Sequence, residues 1–479
     1  MSKLGTFFGL TDANDKILRL AKIMSMLLPV VAATIQLSTT FFMVFVAEAL
    51  GGGSFIDGMM LVGFLVVIQM IVQTLLDYPT GALGDWIGQR YVIASAFLCY
   101  GLAYYMVSLV NNTTPFVFLI ALYALMGIGS SQLSGSFNAW FDNNYRVAMP
   151  GDKDRKQYGV FWGKIGMLFQ IVATAILIPG SIIAAILGRA WVFQLQAVLC
   201  VIIAAIVLRL VQDFPEVEAA RQKPTMNEYT SLLKSGISFL FSNKFMMYVT
   251  IGGCVIWSAG FVWGELILFP LYFSYLVSDI AVSSFRTILF IPGIFTQERS
   301  GVWSRKFDPK TWIPRFRLLQ FGGFLFYIVL AITMFLFPPA AGGAIIDVIL
   351  PFTTIAIMRM PASSVLPVLL IMCTFTLTGL FGGFAEILTQ RILLDVIPNK
   401  IRNGMYSLSP TIATIFAIPQ IALFGWLIPT AGFPVTLASV GIVALIGVVM
   451  IRKGLSYPIP AKHDDIAETE SISLAVSAE

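Results

Sequence analysis

The chain has 479 residues, of which 58% are hydrophobic and only 11% are charged, with a formal net charge of +5. A soluble globular chain carries about 25% charged and about 45–50% apolar residues, so this composition excludes an ordinary soluble enzyme, a disordered scaffold and a nucleic-acid binder. A hydrocarbon core about 30 Å thick needs roughly 20 apolar residues per helix, so about twelve spans fit into the chain. The totals predict an all-α membrane protein with short connections.

The reactive side chains supply no cluster on which an enzyme or a metal site could be built. The four cysteines lie in separate apolar runs, and the single histidine, His463, lies in the polar C-terminal tail. This excludes His/Cys metal clusters, a Ser-His-Asp triad and a histidine proton relay. We therefore expect no cofactor, no metal and no enzymatic activity. The N-terminus lacks the pattern of a removable signal peptide, so we expect none.

The breaks between apolar runs predict twelve helices, numbered here as spans 1 to 12. They cover 20–48, 56–82, 91–110, 115–142, 157–186, 190–212, 244–275, 280–300, 313–337, 363–391, 402–428 and 432–452. The polar stretch 213–243 divides the chain into an N-terminal bundle over 1–212 and a C-terminal bundle over 244–453. The remaining residues, 454–479, are acidic and Ser-rich, which predicts a disordered tail.

The longest connection between spans covers residues 338–362 and has a mixed character. It contains prolines and glycines, but also the apolar stretch Ile345–Ile357. We expect a short helix there, lying across the outer surface.

Lysine and arginine predict the orientation of the spans. With a cytoplasmic N-terminus, all but three of the 30 Lys and Arg residues fall in segments on the cytoplasmic side. The three exceptions are Arg189, Arg286 and Arg359. Basic residues concentrate on the cytoplasmic side of membrane proteins, so both termini are predicted to be cytoplasmic.

A glycine-rich connection follows span 2. It covers Gly81–Arg90 and reads Gly-Ala-Leu-Gly-Asp-Trp-Ile-Gly-Gln-Arg, which predicts a very short turn whose glycines allow close helix approach. This resembles the GxxxD(R/K)xGRR loop of the major facilitator superfamily. Trp86 and Gln89 stand where that pattern has basic residues. The preceding Asp77-Tyr-Pro-Thr-Gly resembles the acidic-x-Pro-Thr-Gly sequence of one large branch.

Further segments resemble the same branch. Residues 134–142 are similar to its SGAxEAWxxD pattern, with Asn138 in place of the glutamate. Residues 395–407 resemble the DxxPxxxRGxxxS turn before span 11, and residues 154–159 are its counterpart before span 5. Residues 301–310 keep the first glycine and the basic end of the Gly81–Arg90 connection but lack its acidic residue. An RxxxGxG pattern in span 4 and a GPxxGG pattern in span 5 are absent, which argues against proton-driven drug antiport.

The resemblance covers about residues 20–452 and implies two six-helix bundles related by a pseudo-two-fold axis. It also implies a solute site at mid-membrane depth, lined by spans 1, 4, 7 and 10. Polar or aromatic residues on spans 1, 4, 5, 7 and 10 are therefore candidates for this cavity. They are Gln36, Thr40, Gln132, Gln170, Trp257, Trp263, Thr374 and Thr378.

Two carboxylates inside spans are candidates for ion coupling, because ionisable residues are costly in a membrane and are usually functional. Asp77 continues a stripe with Gln69 and Gln73 on span 2 and serves either coupling or gating, or else a structural hydrogen bond. Glu265 is the acidic residue nearest the middle of any span. The alternative for Glu265 is a carboxylate at the rim that faces outside water.

A further set of charged residues near the cytoplasmic ends of the spans is assigned to an inner gate. We expect Asp142 and Glu386 to pair with Arg155 or Arg402 rather than to contact solute. For Arg286 we expect pairing with Asp279 or Glu265, and for Lys164 an extended side chain that reaches the interface. The gate set is Asp85, Arg90, Asp142, Arg155, Glu386 and Arg402.

These patterns predict a secondary transporter that moves a small solute by alternating access, coupled to protons or sodium. The alternative is an uncoupled facilitator or a drug or metabolite efflux protein of the same fold. A membrane enzyme or lipid scramblase is disfavoured, since the chain offers no nucleophile–base pair. We expect a monomer in the bilayer of the plasma membrane, with a small-molecule solute as its partner and no nucleic acid.

Overall fold

The computed structural model describes residues 3–460 apart from 11–13, 153–154, 220, 222–233, 235, 291–305, 341 and 397–398. The described part is almost entirely helical, because long apolar runs must satisfy their backbone hydrogen bonds internally in a bilayer. The α-helices are Lys3–Phe8, Asp15–Gln36, Phe42–Leu50, Phe55–Ile87, Gln89–Ser108, Phe116–Leu133, Ser136–Ala148, Lys156–Ala175, Leu177–Leu187, Arg189–Leu210, Pro215–Ala219, Lys244–Val262, Leu268–Tyr275, Pro309–Leu319, Phe324–Leu336, Val365–Val396 and Asn399–Leu455. Residues 236–242 and 279–290 are also helical.

Among the described residues, ten helices are long and apolar enough to cross a membrane. The last of them, Leu408–Leu455, is part of the helix Asn399–Leu455, which contains both predicted spans 11 and 12. Its backbone is non-helical at Gly432, where φ is 81°. Of predicted span 8, residues 280–290 are described. The helices therefore agree with an all-helical membrane protein. The number of twelve spans stays a prediction.

Several spans are interrupted. Span 1 breaks between Gln36 and Phe42, span 4 breaks at Gly135, and span 9 breaks between Leu319 and Phe324. Gly135 has a φ of 71°, which costs a glycine little because it has no Cβ. Span 5 packs closely at the break in span 1, since a Cβ on Gly180 would lie 1.9 Å from the carbonyl oxygen of Leu37. The breaks free backbone groups within the spans and re-aim the side chains on either side.

The chain divides into two compact units. The first contains Met1–Pro224, Leu276–Thr287 and Ile346–Arg359, and the second contains Thr225–Tyr275, Ile288–Ile345 and Met360–Glu479. The second unit has a continuous apolar core that includes Phe245, Phe316 and Ile451. In the first unit, the aromatic rings of Phe141 and Phe161 stack with centroids 4.5 Å apart.

The connection after span 9 differs from the sequence-based expectation. We expected a short helix within Ile345–Ile357, and the structure instead forms two paired strands, Ile345–Ile349 (β1) and Ala356–Pro361 (β2). The physical reason is local. Ile345, Ile346, Val348 and Ile349 are β-branched, and such residues fit strands better than helices.

The glycine-rich connection after span 2 also differs. The helix Phe55–Ile87 continues through Gly81, Gly84 and Asp85, so these residues are helical rather than part of a turn. The reversal takes place at Gly88, whose φ of 105° is accessible only to glycine at little cost. The next helix begins at Gln89.

Candidate functional site

Two cavities among the described residues are candidates for a solute site. The larger lies within the second unit and has a volume of 640 Å³, a size suited to a small solute. Its walls come from spans 7, 9, 10 and 11. They are mainly apolar and aromatic, with a few polar groups. The lining includes Thr250, Cys254, Trp257, Phe261, Arg317, Gln320, Phe321, Glu386, Thr389 and Ser409.

Arg317 is the cation of this lining and is held by three side chains. Its guanidinium donates to Glu386 Oε2 at 2.9 Å and Thr389 Oγ1 at 3.2 Å, and to Gln320 Oε1 at 3.3 Å. The Arg317 side chain is only 11% exposed, whereas that of Glu386 is 56% exposed. Arg317 is therefore a fixed, mostly buried cation with a carboxylate at its open side.

The break in span 9 places Arg317. The helix Pro309–Leu319 is capped by the preceding Asp308, whose carboxylate accepts a hydrogen bond from the backbone N–H of Thr311 at 3.0 Å. Hydrogen bonds from the hydroxyl and backbone of Thr311 hold the pKa of Asp308 below its usual range. Arg317 lies in the last turn of this helix, where a cation favours the helix dipole. Beyond the break, the Phe321 amide donates to the Thr378 carbonyl at 3.0 Å, which ties span 9 to span 10.

Glu386 has a partner, Arg317, that the sequence-based expectation did not include. The sequence-based expectation paired Glu386 with Arg402 or Arg155, and the structure pairs it with Arg317. The reason is that the helical arc of Pro309–Leu319 brings Arg317 against span 10, which linear spacing does not reveal. The side chain of Arg402 lies outside the described residues.

Glu265 lies in a π-helical turn, Trp263–Ile267, in the middle of span 7. Such turns are rare in proteins overall, and those that occur often lie at functional sites. The Glu265 side chain is exposed, and within the described part of the chain it makes no hydrogen bond or ion pair. The wider turn displaces Glu265 from the helical register of its neighbours, so sequence periodicity does not predict the direction in which it points.

The two tryptophans assigned to the solute cavity have different surroundings. Trp257 lines the larger cavity, is 49% exposed and stacks on Phe261 with ring centroids 6.0 Å apart. Trp263 is 2% exposed and packs its ring against Phe326 at 5.1 Å and Phe375 at 5.6 Å. Trp257 is thus accessible to a solute, whereas Trp263 is part of an aromatic core.

The remaining cavity candidates are dispersed. Thr40 is fully buried against Ser181, with 3.3 Å between the hydroxyl oxygens, and Gln170 is exposed beside Thr174. The hydroxyls of Thr374 and Thr378 donate to carbonyls of their own helix at 2.8 Å and 2.7 Å. Gln36 and Gln132 are half-buried. None of these six residues is among the described residues that line the larger cavity.

The stripe on span 2 is present. Gln69, Gln73 and Asp77 are each half-buried on the helix Phe55–Ile87. One carboxylate oxygen of Asp77, Oδ1, is buried and has no hydrogen-bond partner among the described atoms. Nearby, the Thr80 hydroxyl donates to the Ser131 carbonyl at 2.9 Å and joins span 2 to span 4. Asp77 thus carries an unmet hydrogen-bonding capacity beside the break in span 4.

Asp85 and Arg90 are positioned by local contacts. Gln89 donates to Asp85 Oδ1 at 3.1 Å, and a Cβ on Gly84 would lie 2.4 Å from Gln89 Oε1. The glycine therefore makes room for the side chain that binds Asp85. Arg90 donates to the Tyr91 hydroxyl at 2.8 Å and covers that ring.

A residue that the sequence-based set omits, Arg221, holds the reversal at Gly88. Its guanidinium forms an ion pair with Asp213 and donates to the Ile87 carbonyl at 3.4 Å. A Cβ on Gly88 would lie 2.6 Å from Arg221 Nη2. The residues after span 6 therefore anchor the connection between spans 2 and 3.

A second contact anchors the same region to span 1. Lys16 and Glu216 form an ion pair of 2.6 Å. The hydrogen bond from Lys16 holds the pKa of the Glu216 carboxyl below its usual range. Both side chains are exposed, so this pair contributes little to stability.

Asp142 lies between two arginines at the end of span 4. Arg155 donates to its Oδ1 at 2.6 Å, and Arg146 donates to its Oδ2 at 2.9 Å. The backbone of Arg155 has a φ of 53°, an uncommon conformation for a residue with a side chain. The sequence-based expectation paired Asp142 with Arg155 or Arg402, and the structure contains the pair with Arg155.

Lys164 has a defined partner. It was expected to extend to the interface, and its ammonium donates to the Phe7 carbonyl at the end of the helix Lys3–Phe8. The Phe8 ring is buried and packs on Phe161, with centroids 4.9 Å apart. The N-terminal helix is therefore fastened to span 5.

Arg189, one of the three arginines outside the cytoplasmic set, binds two carboxylates. It donates through Nε and Nη2 to both oxygens of Asp279, at 2.9 Å and 2.7 Å, and through Nη1 to Glu48 at 2.7 Å. We expected Arg286 to pair with Asp279 or Glu265, and the structure instead pairs Asp279 with Arg189. Arg189 departs from the placement of basic residues on the cytoplasmic side, and this departure is the sequence signal that could have identified the cluster.

The smaller cavity lies within the first unit and has a volume of 320 Å³. Spans 1, 4 and 5 line it with mostly apolar groups, among them Leu28, Phe137, Trp162 and Phe169. Asn138, the departure from the branch pattern, is exposed and belongs to this lining. Among the described residues, no group of three His, Cys, Asp or Glu could hold a metal ion.

Comparison with protein-family models matches residues 25–367 to the Major Facilitator Superfamily. The chain belongs to this superfamily. The resemblance carried by the connection after span 2 is thus confirmed, and the superfamily supports transport of a solute across a membrane. A search of curated proteins finds no match.

Solved structures of transporters share the fold. The nucleoside transporter NupG aligns with 90% of this chain and 100% of its own, at 13% identity and a TM-score of 0.56. A mutant of the peptide transporter POT in complex with sulfate aligns with 89% and 93%, at 12% identity and a TM-score of 0.58. The D-xylose–proton symporter aligns with 91% and 98%, at 14% identity and a TM-score of 0.56. At such low identities the similarity concerns the fold.

Proposed function

We propose that this chain is a secondary transporter that moves a small polar solute by alternating access and couples the movement to a proton or sodium ion. The observation that carries the proposal is the larger cavity, where the mostly buried Arg317 is held by two neutral side chains and faces the exposed carboxylate of Glu386. Apolar walls with a few convergent polar groups are the usual composition of a solute site.

The Arg317–Glu386 pair is suited to exchange one partner for another. Gln320 and Thr389 keep the guanidinium in place without neutralising it, and Glu386 is the more exposed member. An acidic or strongly accepting group of the solute can replace Glu386 on Arg317, so that the cation stays paired throughout. Removing one partner of a mostly buried pair without replacement is costly, which favours such an exchange.

Glu265 and Asp77 are the proposed coupling residues. Both lie within spans, and each has an oxygen that the described part of the chain does not satisfy. A carboxylate in such surroundings gains from binding a proton or a cation. The π-helical turn supports the assignment of Glu265, because a widened turn gives its side chain a position that an α-helix would not.

Asp85, Arg90, Asp142, Arg155 and Arg402 are proposed as inner-gate residues. The pairing of Asp142 with two arginines supports this for the end of span 4. We assign Glu386 to the solute cavity rather than to the gate, because both Glu386 and its partner Arg317 line that cavity. We further propose that the protein is a monomer in the plasma membrane with both termini in the cytoplasm.

The second candidate is an uncoupled facilitator or efflux protein of the same fold. The mainly apolar walls of both cavities favour this alternative, since an apolar solute would need no ion pair. The two functions differ in whether uptake exceeds equilibrium, which a gradient-driven assay measures directly.

The test begins with purified protein screened by thermal shift against sugars, nucleosides, short peptides, carboxylates and lipophilic cations. A stabilising compound is then offered to proteoliposomes with and without a proton or sodium gradient. We expect accumulation above equilibrium with one gradient and none after an ionophore. Equilibration that is unchanged by ionophores would select the facilitator.

A further inference from the structure

The β-hairpin between spans 9 and 10 is an apolar surface that the proposed transport function does not use. All five residues of β1 are exposed, including Ile345, Val348 and Ile349 at 51%, 47% and 54%. Phe352, at the tip, is fully exposed. In water such a strand would be a site of aggregation, since it is apolar and carries an open edge.

The hairpin is a defined structure. The Ala362 amide donates to the Ala344 carbonyl at 2.8 Å at its base, and the Leu350 amide donates to the Ile355 carbonyl at 2.9 Å near its tip. The Thr353 hydroxyl donates to the Leu350 carbonyl at 2.8 Å within the turn. Phe352 is held there with a φ of 65°, which is costly for an aromatic residue. The turn thus accepts strain and presents a phenyl ring outward.

The distribution of apolar side chains indicates what covers the exposed surface of the hairpin. Successive residues of a strand point to opposite faces, so Ile345 and Ile349 lie on one face of β1 and Ile346 and Val348 on the other. A partner protein would cover one face and leave the other polar. Here both faces of β1 carry exposed branched apolar side chains, with Asp347 between Ile345 and Ile349 on one of them, which fits a medium that meets both faces of this strand.

The position of the hairpin in the chain and its paired charges agree with lipid as this medium. β2 ends at Pro361, and the next membrane-spanning stretch begins at Ala362, so the base of the hairpin lies at a membrane surface. Its two charges, Asp347 and Arg359, lie 3.5 Å apart and neutralise each other. An open strand edge is not tolerated in the hydrocarbon core but can bond to water and headgroups at the interface.

We propose that the hairpin is a lipid-binding element that lies in the interfacial region of the leaflet on the side of the connection between spans 9 and 10, with Phe352 inserted among the acyl chains. The ligand is phospholipid of the surrounding bilayer. The element fixes the ends of spans 9 and 10 against the membrane and keeps the free edge of β1 from pairing with other chains.

The test places a benzophenone amino acid at position 352, or separately at position 349, in the full chain. The control is the same group at position 112, where Asn112 is an exposed residue of a polar connection. Each purified protein is reconstituted in vesicles of phosphatidylethanolamine and phosphatidylglycerol, irradiated, and analysed by intact mass spectrometry. Size-exclusion chromatography first confirms that the three proteins are monodisperse.

We expect phospholipid adducts at positions 352 and 349 to exceed those at position 112 by at least about fivefold. Cross-linked dimers as the main product at 352 or 349 would show that a second copy covers the hairpin and would overturn the proposal. Adduct yields equal to those at position 112 would also overturn it, because the hairpin would then face water. The result does not depend on the solute, so it is independent of the proposed transport function.

Discussion

At the scale of single residues, the exposed carboxylate of Glu265 is the sharpest test of ion coupling. We expect Glu265→Gln to bind solute with nearly unchanged affinity but to lose gradient-driven accumulation by about tenfold or more, because a neutral amide cannot bind and release a proton or sodium ion as a carboxylate does. Counterflow exchange of the solute, which needs no net ion movement, should persist. Reconstituted Glu265→Gln protein that accumulates solute as the parent does would defeat the assignment.

Asp77 provides the matched comparison for Glu265. It is half-buried in a span and has an unpartnered carboxylate oxygen. If Asp77 is only structural, Asp77→Asn should lower the midpoint of thermal unfolding while gradient-driven accumulation per folded protein is kept. If it couples ions, accumulation falls while stability is kept or rises, since a neutral amide is less costly to bury than a carboxylate.

Arg317 and Glu386 give the residue-scale prediction for solute binding. Arg317→Met keeps much of the side-chain volume but removes the cation, so we expect solute binding measured by calorimetry to weaken by about tenfold to a hundredfold, the range expected for a lost charged hydrogen bond. Glu386→Gln should bind the solute at least as tightly as the parent, because its competition for Arg317 is weakened. Equal weakening by both substitutions would indicate a purely structural pair.

At the scale of elements, the close approach of spans 1 and 5 makes a prediction about stability. A Cβ on Gly180 would lie 1.9 Å from the Leu37 carbonyl, whereas a Cβ on Gly163 in the same span meets nothing within 4 Å. We expect Gly180→Ala to destabilise the protein by about 1–3 kcal/mol, the usual cost of overpacking, and Gly163→Ala to leave the midpoint of thermal unfolding nearly unchanged. Equal midpoints for the two variants would show that span 1 shifts freely at its break.

The same scale shows how far sequence reasoning reached. Apolar runs and the placement of lysine and arginine predict the membrane class and most helices, because a bilayer imposes length and satisfied backbone bonds on any spanning segment. The breaks at Gly135 and between Leu319 and Phe324 were not predicted, since glycine is common in membrane helices and only neighbours decide whether the helix opens there. The strands of the hairpin were missed because a short apolar run has no clear period.

For the candidate site, the sequence identified the carboxylates and included Arg155 as a partner of Asp142, but it did not identify Arg317 as a partner of Glu386. Asp142 and Glu386 were singled out as costly charges, and both are paired. Arg317 was overlooked because it lies near the end of a span, where a basic residue is ordinary. Which arginine meets which carboxylate depends on how the helices pack, and that information is not local in the sequence.

At the scale of the whole molecule, the proposed alternating access requires that one side of the protein open while the other closes. Arg189 joins three segments that are distant in the sequence. Its bidentate bond to Asp279 and its bond to Glu48 are partly buried, with Arg189 only 20% exposed. Arg189→Met would leave two carboxylates without their cation, so the segments around Glu48 and Asp279 should separate more readily.

We expect amide hydrogen exchange in residues 42–50 and 279–287 to rise by about tenfold or more in Arg189→Met, because the loss of a partly buried charged pair costs more than 1 kcal/mol. Exchange in 116–133 should stay unchanged. Lys16→Met is the control, because both side chains of its ion pair with Glu216 are exposed, so that its loss should have little effect. A faster solute exchange in Arg189→Met with the same increase in amide exchange would assign the cluster to closure of that side. Amide exchange that rises equally across all spans would instead mean that Arg189 only stabilises the fold.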